Sequence, residues 1–437
     1  MLLVLDHGAF LACLAIYCFL GSTYFWVLFE YLRNRQRGEA NESRILSSPL
    51  PPDHELPNML VQLPTFNEGR LILRLARAVA ELDWPRGRMR AQILDDSTDG
   101  SLADCERAAE YLRERHIAAE VLHRGRRTGF KAGALAEGLA KSDEPFIAML
   151  DSDYIPRADF LKNMMRAMLR DDRLALVQAR CDYFNGDENL VTRAQQRILD
   201  AHFLLEQAAR CWSGQVVPFN GTCGVWRRTA IEDAGGWNGD TLAEDMDLSY
   251  RVQLRGWRGL FLASVTVPGE LPRTLDAWRR QQFRWTKGSA EVTRKLLAAM
   301  WASRLSLRQK LVSTLHLGGG LFGSLFGLTV VAGCIDFALG KGLSAAAVAL
   351  LTILAVEVIG GPAVLQVVGQ RFARGAGMVD ELGYLPVVTA LRLGVGLVNV
   401  GGGMEAIFGR GTEFVRTPKS AMVQPQHLER YDPRCES

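Results

Sequence analysis

Two carboxylates one residue apart, Asp151 and Asp153 in AMLDSDYIP, stand directly after a short apolar run. On a turn at that spacing they repel one another unless a cation lies near. A hard divalent ion, Mg2+ or Mn2+, accepts carboxylate and phosphate oxygens together, so this turn can hold the ion of a nucleoside diphosphate. Alone, a D-x-D pair is also an ordinary turn. Asp95 and Asp96, in AQILDDSTDG, again come after an apolar run. A carboxylate there can accept bonds from ribose hydroxyls or a base N–H. Lys131, in RRTGFKAG, comes after a glycine that permits close approach. It is a phosphate partner or, more plainly, a solvated lysine in a first helical turn.

Further along, TLAEDMDLSYR places Glu244, Asp245 and Asp247 at the start of a helical pattern. Acids suit a helix N-terminus on electrostatic grounds alone, and that accounts for Asp247. Asp245 is the candidate general base, because a sugar hydroxyl is a poor nucleophile until its proton is drawn off. One base suffices when the leaving group is a metal-bound diphosphate, and the outcome is a single displacement with inversion. Asn220 and Thr222 sit in FNGTCGVWRR. They offer small polar groups to an acceptor, or form a glycine-rich turn. In QQFRWTKG, Trp285 offers a face on which a pyranose can stack and Arg284 a fork for phosphate oxygens, with Gln281 one turn away from both if the segment is helical.

The elements that must position these groups are short apolar runs alternating with helical patterns. Strands are expected at 59–63, 91–94, 118–122, 146–150 and 174–178, and helices at 68–82, 101–115, 129–141 and 158–170. That alternation implies an α/β domain with a mostly parallel sheet and helices on both faces. Ligands then collect at the carboxyl ends of the strands, where the acids after 63, 94 and 150 stand.

The flanks have a different texture. Residues 8–29 carry no charge and are long enough to cross a bilayer, and Arg33, Arg35 and Arg37 come next, which places the succeeding segment in the cytoplasm. Residues 311–335, 342–370 and 382–404 are three further apolar stretches, with glycines at 318–320 and 401–403 suited to close helix packing. Four spans leave the tail outside, whereas its basic residues favour the cytoplasm, so one segment is re-entrant or interfacial, or a further span exists. The chain divides into an anchor (1–31), a Pro-rich polar linker (32–58), the α/β domain (59–270), an amphipathic interfacial segment (271–306), a transmembrane region (307–407) and a polar tail (408–437). A net charge of +3 makes no case for nucleic acid, and the eight cysteines include no C-x-x-C pair and no zinc spacing.

Together QLPTFNE, ILDDSTDG, TGFKAGAL, AMLDSDYIP, VPFNGTCGVWRR, AGGWNGDTLAEDMDLSYR, GELP and QQFRWTKG resemble a processive, membrane-embedded family 2 glycosyltransferase. The group is related to cellulose synthase, and the likeness is strongest to the cellulose-synthase-like mannan and glucomannan synthases. The resemblance implies a GT-A domain facing the cytoplasm of a multi-pass inner (plasma) membrane protein. It implies a nucleotide-sugar donor, UDP-glucose or GDP-mannose, with Mg2+ or Mn2+ on Asp151 and Asp153. Asp95 or Asp96 would contact base and ribose, with Lys131, Gln281 and Arg284 also on the donor. Asp245 would be the base beside Glu244, and Trp285, Asn220 and Thr222 would serve the acceptor. Ala243-Glu244-Asp245 departs from the usual T-E-D. The tail is too short for the regulatory nucleotide domain of bacterial cellulose synthases, and no F-x-V-T-x-K pattern occurs. The growing polysaccharide would cross the bilayer, and the small span count leaves room for a homo-oligomer or an export partner to complete the path. The rival expectation is transfer of one sugar to a membrane lipid such as a ceramide or polyprenyl phosphate.

Overall fold

The computed structural model describes residues 22–319, 348, 352 and 360–409. Most of the expected anchor, most of the spans at 311–335 and 342–370, and nearly all of the tail lie outside the described residues. The described residues divide into two compact units: 36–196 and 216–277 belong to one, and those within 22–35, 197–215 and 278–409 to the other.

The first unit is built on seven strands: β1 (Met59–Thr65), β2 (Met89–Asp95), β3 (Ala118–His123), β4 (Phe146–Met149), β5 (Leu174–Tyr183), β6 (Gly224–Arg227) and β7 (Arg258–Gly269). Their order in the sheet is β3-β2-β1-β4-β6-β5-β7. β1 pairs in parallel with β2 and β4, β2 with β3, and β5 with β7, while β6 runs antiparallel between β4 and β5. The sheet is therefore mixed but mostly parallel, as expected, with β6 the antiparallel strand. The five expected strands form, and so do the four helices, at Arg70–Ala80, Leu102–Arg113, Phe130–Ala140 and Phe160–Met168. β6 and β7 are additional.

Every residue of β1 is buried, which requires its polar members to find partners inside. Gln62 Nε2 donates to Gln92 Oε1 at 3.1 Å, Gln92 Nε2 to Glu120 Oε1 at 2.9 Å, and Arg90 to the same Glu120 oxygen at 2.6 Å. Gln62, Gln92 and Glu120 are direct register partners across β1, β2 and β3. A slip of one residue would bury these groups without partners. The same register aligns Thr65, Asp95 and His123 at the carboxyl edge.

The expected linker at 32–58 begins as a helix, Thr23–Leu46, rich in Arg, Asn and Glu. Its Glu42 accepts bonds from the Ala263 and Ser264 N–H groups at 3.1 and 3.0 Å, where the β5–β7 register shifts. A long-range duty of this kind leaves no periodic trace in sequence.

The second unit is helical, with segments at Ala208–Trp212, Gly361–Arg374, Met378–Leu382 and Leu385–Ile407. Leu385–Ile407 is the one helix among the described residues long and apolar enough to cross a membrane, and it overlaps the expected span at 382–404. Gly402 packs against Phe283, where a Cβ would stand 3.1 Å from the Phe283 carbonyl oxygen.

Helix Phe130–Ala140 lies directly on the glutamine ladder. A Cβ on Gly138 would stand 2.7 Å from Gln62 Nε2 and 2.8 Å from Gln92 Oε1. Gly138→Val is expected to lower stability by about 2–3 kcal/mol through overpacking, read as a reduced denaturant midpoint. A midpoint equal to the parent's would refute the tight seating of this helix.

Candidate active site

The carboxyl ends of β1 to β4 converge with the loop before β6 and the start of the helix Glu244–Leu254. After β1, Asn67 turns the chain with a positive φ of 53°. Its N–H donates to Ser97 Oγ at 2.8 Å, and Thr98 N–H returns a bond to Asn67 Oδ1 at 2.8 Å. The loops after β1 and β2 are thereby tied together. Glu68 reaches over to accept from Ser152 Oγ, inside the Asp151-Ser152-Asp153 turn.

Asp95 is fully buried. Its Oδ1 accepts the Ser97 N–H at 3.1 Å and its Oδ2 lies 2.7 Å from His123 Nδ1. Asp96 accepts two guanidinium bonds from Arg124, at 2.6 and 2.5 Å, with Arg127 3.7 Å away. The Arg127 guanidinium stacks 3.3 Å over the Phe66 ring.

Beyond these pairs lies the centre of the cleft. Lys131 Nζ donates to Asp151 Oδ1 at 2.5 Å and to the Gly221 carbonyl at 2.8 Å. The Asp151 N–H donates to Thr222 Oγ1 at 2.9 Å, and the Asn220 N–H to Gln178 Oε1 at 2.8 Å. Gly221 has φ of +83°, and a Cβ there would lie 2.8 Å from Asp245 Oδ2 and 3.8 Å from Lys131 Nζ. Lys131, Asp151, Gly221, Thr222 and Asp245 thus form one cluster, with the charge of Glu244 acting on it. Asp153 works on Arg74: burial lowers that guanidinium's pKa, and Glu270 and Asp153 oppose the shift.

Burial pulls the Lys131 ammonium down, but Asp151, Glu244 and Asp245 outweigh it and hold the amine protonated. Burial and the neighbouring Glu244 push the Asp245 carboxyl up to about 7, against Lys131 and the Met246 N–H, which favour its ionised form. Asp247 has a different setting. It is buried and paired with Arg251 at 2.7 Å, as a helix-bracing acid should be.

A divalent ion fits this donor set. Asp151 and Asp153 supply hard oxygens, and the Lys131 ammonium already places positive charge on Asp151. Among the described residues no group of three or more His, Cys, Asp or Glu is drawn together. An ion such as Mg2+ takes one or two carboxylates and completes its shell with water and substrate phosphate.

Gln281, Arg284 and Trp285 belong to the other compact unit. They fall at i, i+3 and i+4 on the helix Leu275–Ala302 and so share a face. Trp285 is 46% exposed and meets buried Trp278 edge-on, with ring centroids 6.2 Å apart. Four residues of the edge escape a reading by motif: Glu68, His123, Arg124 and Arg127. His123 and Arg124 stand at the carboxyl end of β3, so the rule that marks the acids after β1, β2 and β4 marks them too.

Residues 146–359 match the family described as "Glycosyl transferase family group 2". Over 272 residues the chain is 41% identical to glucomannan 4-beta-mannosyltransferase 9 of Arabidopsis thaliana, covering 59% of this chain and 50% of that relative. Over 285 residues it is 39% identical to glucomannan 4-beta-mannosyltransferase 1 of Cyamopsis tetragonoloba, covering 64% and 53%. The chain therefore spans about half the length of the curated relatives it matches. Among solved structures it resembles the mannosyltransferase PcManGT from Pyrobaculum calidifontis, in complex with GDP-Man and Mn2+. The TM-score is 0.59 at 19% identity, covering 91% of this chain and 100% of that one. The seven-stranded sheet is accordingly GT-A-like.

Gly221→Ala is expected to lose about 2 kcal/mol through left-handed strain and the clash with Asp245. Gly256, at φ +96° in open space, isolates the strain. If Gly256→Ala costs as much in a denaturant titration, the close approach of Gly221 to Asp245 is refuted.

Proposed function

We propose that the chain, which matches Glycosyl transferase family group 2 over residues 146–359, is an inverting hexosyltransferase extending a β-linked polysaccharide. We take the hexose to be mannose, delivered from GDP-mannose. The observation that carries the reading is the cluster of Asp151, Lys131, Gly221 and Asp245, in which a carboxyl that burial pushes up to about 7 lies beside the Asp151 turn paired with Lys131. The choice of mannose is supported by the activity in the names of the relatives and by the GDP-Man and Mn2+ of the structural neighbour.

The acceptor hydroxyl oxygen attacks the anomeric carbon of the donor. Its proton passes to the Asp245 carboxylate as the new C–O bond forms. The bond from that carbon to the diphosphate oxygen breaks, and the nucleoside diphosphate departs with the electron pair. Lys131 holds Asp151 in place and supplies positive charge where the leaving group gains negative charge. A divalent ion on Asp151 and Asp153, when bound, neutralises the diphosphate. Asp95 and Asp96 frame the nucleoside end, and Asn220 and Thr222 the acceptor side. Glu244 sets the basicity of Asp245. In the helical unit Trp285 would stack on a sugar ring, with Arg284 and Gln281 on its helical face for phosphate. The helix Leu385–Ile407 and exposed Trp301, Phe25 and Phe29 support a seat in the plasma membrane and export of the product across it, with a second copy or a partner completing the path.

The deciding experiment incubates purified protein with GDP-mannose or UDP-glucose and Mg2+ or Mn2+, then determines product linkage and length. Polymeric β-linked mannose is expected; a single sugar on lipid would reject the reading. Asp245→Asn should still bind donor but lose transfer by about 10²–10⁴-fold. The base works ionised, so the rate should fall as pH drops through an apparent pKa of about 7. A pH-independent rate between about 5 and 8 would remove Asp245 from the role. Chelation of divalent ions, or Asp151→Asn, should weaken donor binding, measured by calorimetry.

A further inference from the structure

We propose that His123 is a specificity-determining residue for the donor's nucleobase, and that it favours guanine over uracil. The inference rests on the nucleotide-sugar reading of the cleft and names the group that reads the base.

Position comes first. In the order β3-β2-β1-β4, neighbouring strands lie about 4.8 Å apart. From the Asp151 turn after β4 to the ends of β2 and β3 is thus two or three strand spacings, about 10–14 Å. That is the reach of a nucleotide from its diphosphate to its base, so the base falls over the ends of β2 and β3.

The two acids at that end are already committed. Asp95 has no exposed surface. Its carboxylate accepts the Ser97 N–H and contacts His123 Nδ1. Asp96 is held by both Arg124 bonds with Arg127 alongside. His123 is the last residue of β3 and the register partner of Asp95. Unlike Asp95 it reaches solvent, with 38% of its side chain exposed.

Nδ1 carries the hydrogen that bonds to the Asp95 carboxylate, and in the neutral form of the ring Nε2 is then an acceptor. A carboxylate behind the ring strengthens that acceptor, as it does behind metal-ligating histidines. Guanine presents N1–H and the N2 amino group side by side. Uracil presents one N3–H flanked by two carbonyl oxygens, whose lone pairs oppose those of Nε2 and the charge of Asp95. An acceptor at this place therefore favours guanine.

Two substitutions separate the two ring nitrogens. His123→Asn keeps a polar group near the Nδ1 position for Asp95 and removes the Nε2 end. His123→Gln restores an acceptor near Nε2. Binding of GDP, UDP and, as a base-free probe, inorganic pyrophosphate would be measured calorimetrically on the full chain with Mn2+. We expect the parent to favour GDP over UDP. His123→Asn should weaken GDP by roughly 3- to 10-fold, the scale of one neutral hydrogen bond, with pyrophosphate unchanged. His123→Gln should regain part of the loss. A preference for UDP in the parent, an unaffected His123→Asn, or an equal loss for GDP, UDP and pyrophosphate would each overturn the proposal. A parent that binds no nucleotide at all would instead overturn the nucleotide-sugar reading beneath it.

Discussion

The cleft depends on one ammonium group. Asp151, Glu244 and Asp245 all act on Lys131, and Glu244 and Asp151 oppose ionisation of Asp245, as like charges do. Lys131 answers that repulsion by donating to Asp151 and to the Gly221 carbonyl together. The backbone has to bend for this. Gly221 and Cys223 both take positive φ, and no side chain fits at Gly221 without striking Asp245. Asp245 is left between opposing influences. Burial and Glu244 hold its proton on, while Lys131 and the Met246 N–H pull it off. A general base working near neutral pH needs such a balance.

The ammonium is only as well placed as the helix that carries it. Phe130–Ala140 rests on the Gln62–Gln92–Glu120 ladder through Gly138, and the ladder fixes the register of β1, β2 and β3. The same register sets Thr65, Asp95 and His123 side by side at the edge. Polar groups buried in mid-sheet thus act at a distance on the cleft, because a slip that moved the edge would first leave the ladder unpaired.

How much of this was legible in sequence depends on how local each signal is. β1, β2, β4 and β5 are almost wholly buried runs, while β3, at the edge of the sheet, is only half-buried, and the acids after β1, β2 and β4 mark the working edge without further knowledge. β6 is four residues, GVWR, and its place between β4 and β5 is settled by partners far along the chain. β7 contains a register shift, Gly259 and Pro268, all of which break a strand pattern. Asp95 and Asp96 are visible as edge acids, but the groups that hold them, His123 and Arg124, lie 28 residues on. His123 carries no motif of its own, so only the sheet order gives it meaning. By contrast, the spacing of Gln281, Arg284 and Trp285 is itself helical, and the helix is there.

The helical unit solves a related problem in apolar surroundings. Arg197 meets both carboxylate oxygens of Glu381 at 2.8 Å, Asp200 takes Gln370 at 2.8 Å and Arg374 at 3.1 Å, and fully buried Lys287 meets Glu405 at 3.0 Å. Each pair joins segments more than a hundred residues apart in sequence. Apolar helices slide on one another at little cost, because one leucine serves as well as the next. A buried charge does not tolerate this, since separation from its partner costs about 3–5 kcal/mol. Three such pairs leave Gly361–Arg374, Met378–Leu382 and Leu385–Ile407 a single arrangement against Arg197–Gln215 and the helix bearing Trp285. Specific pairing is therefore what lets a largely apolar bundle hold an indole at a fixed place.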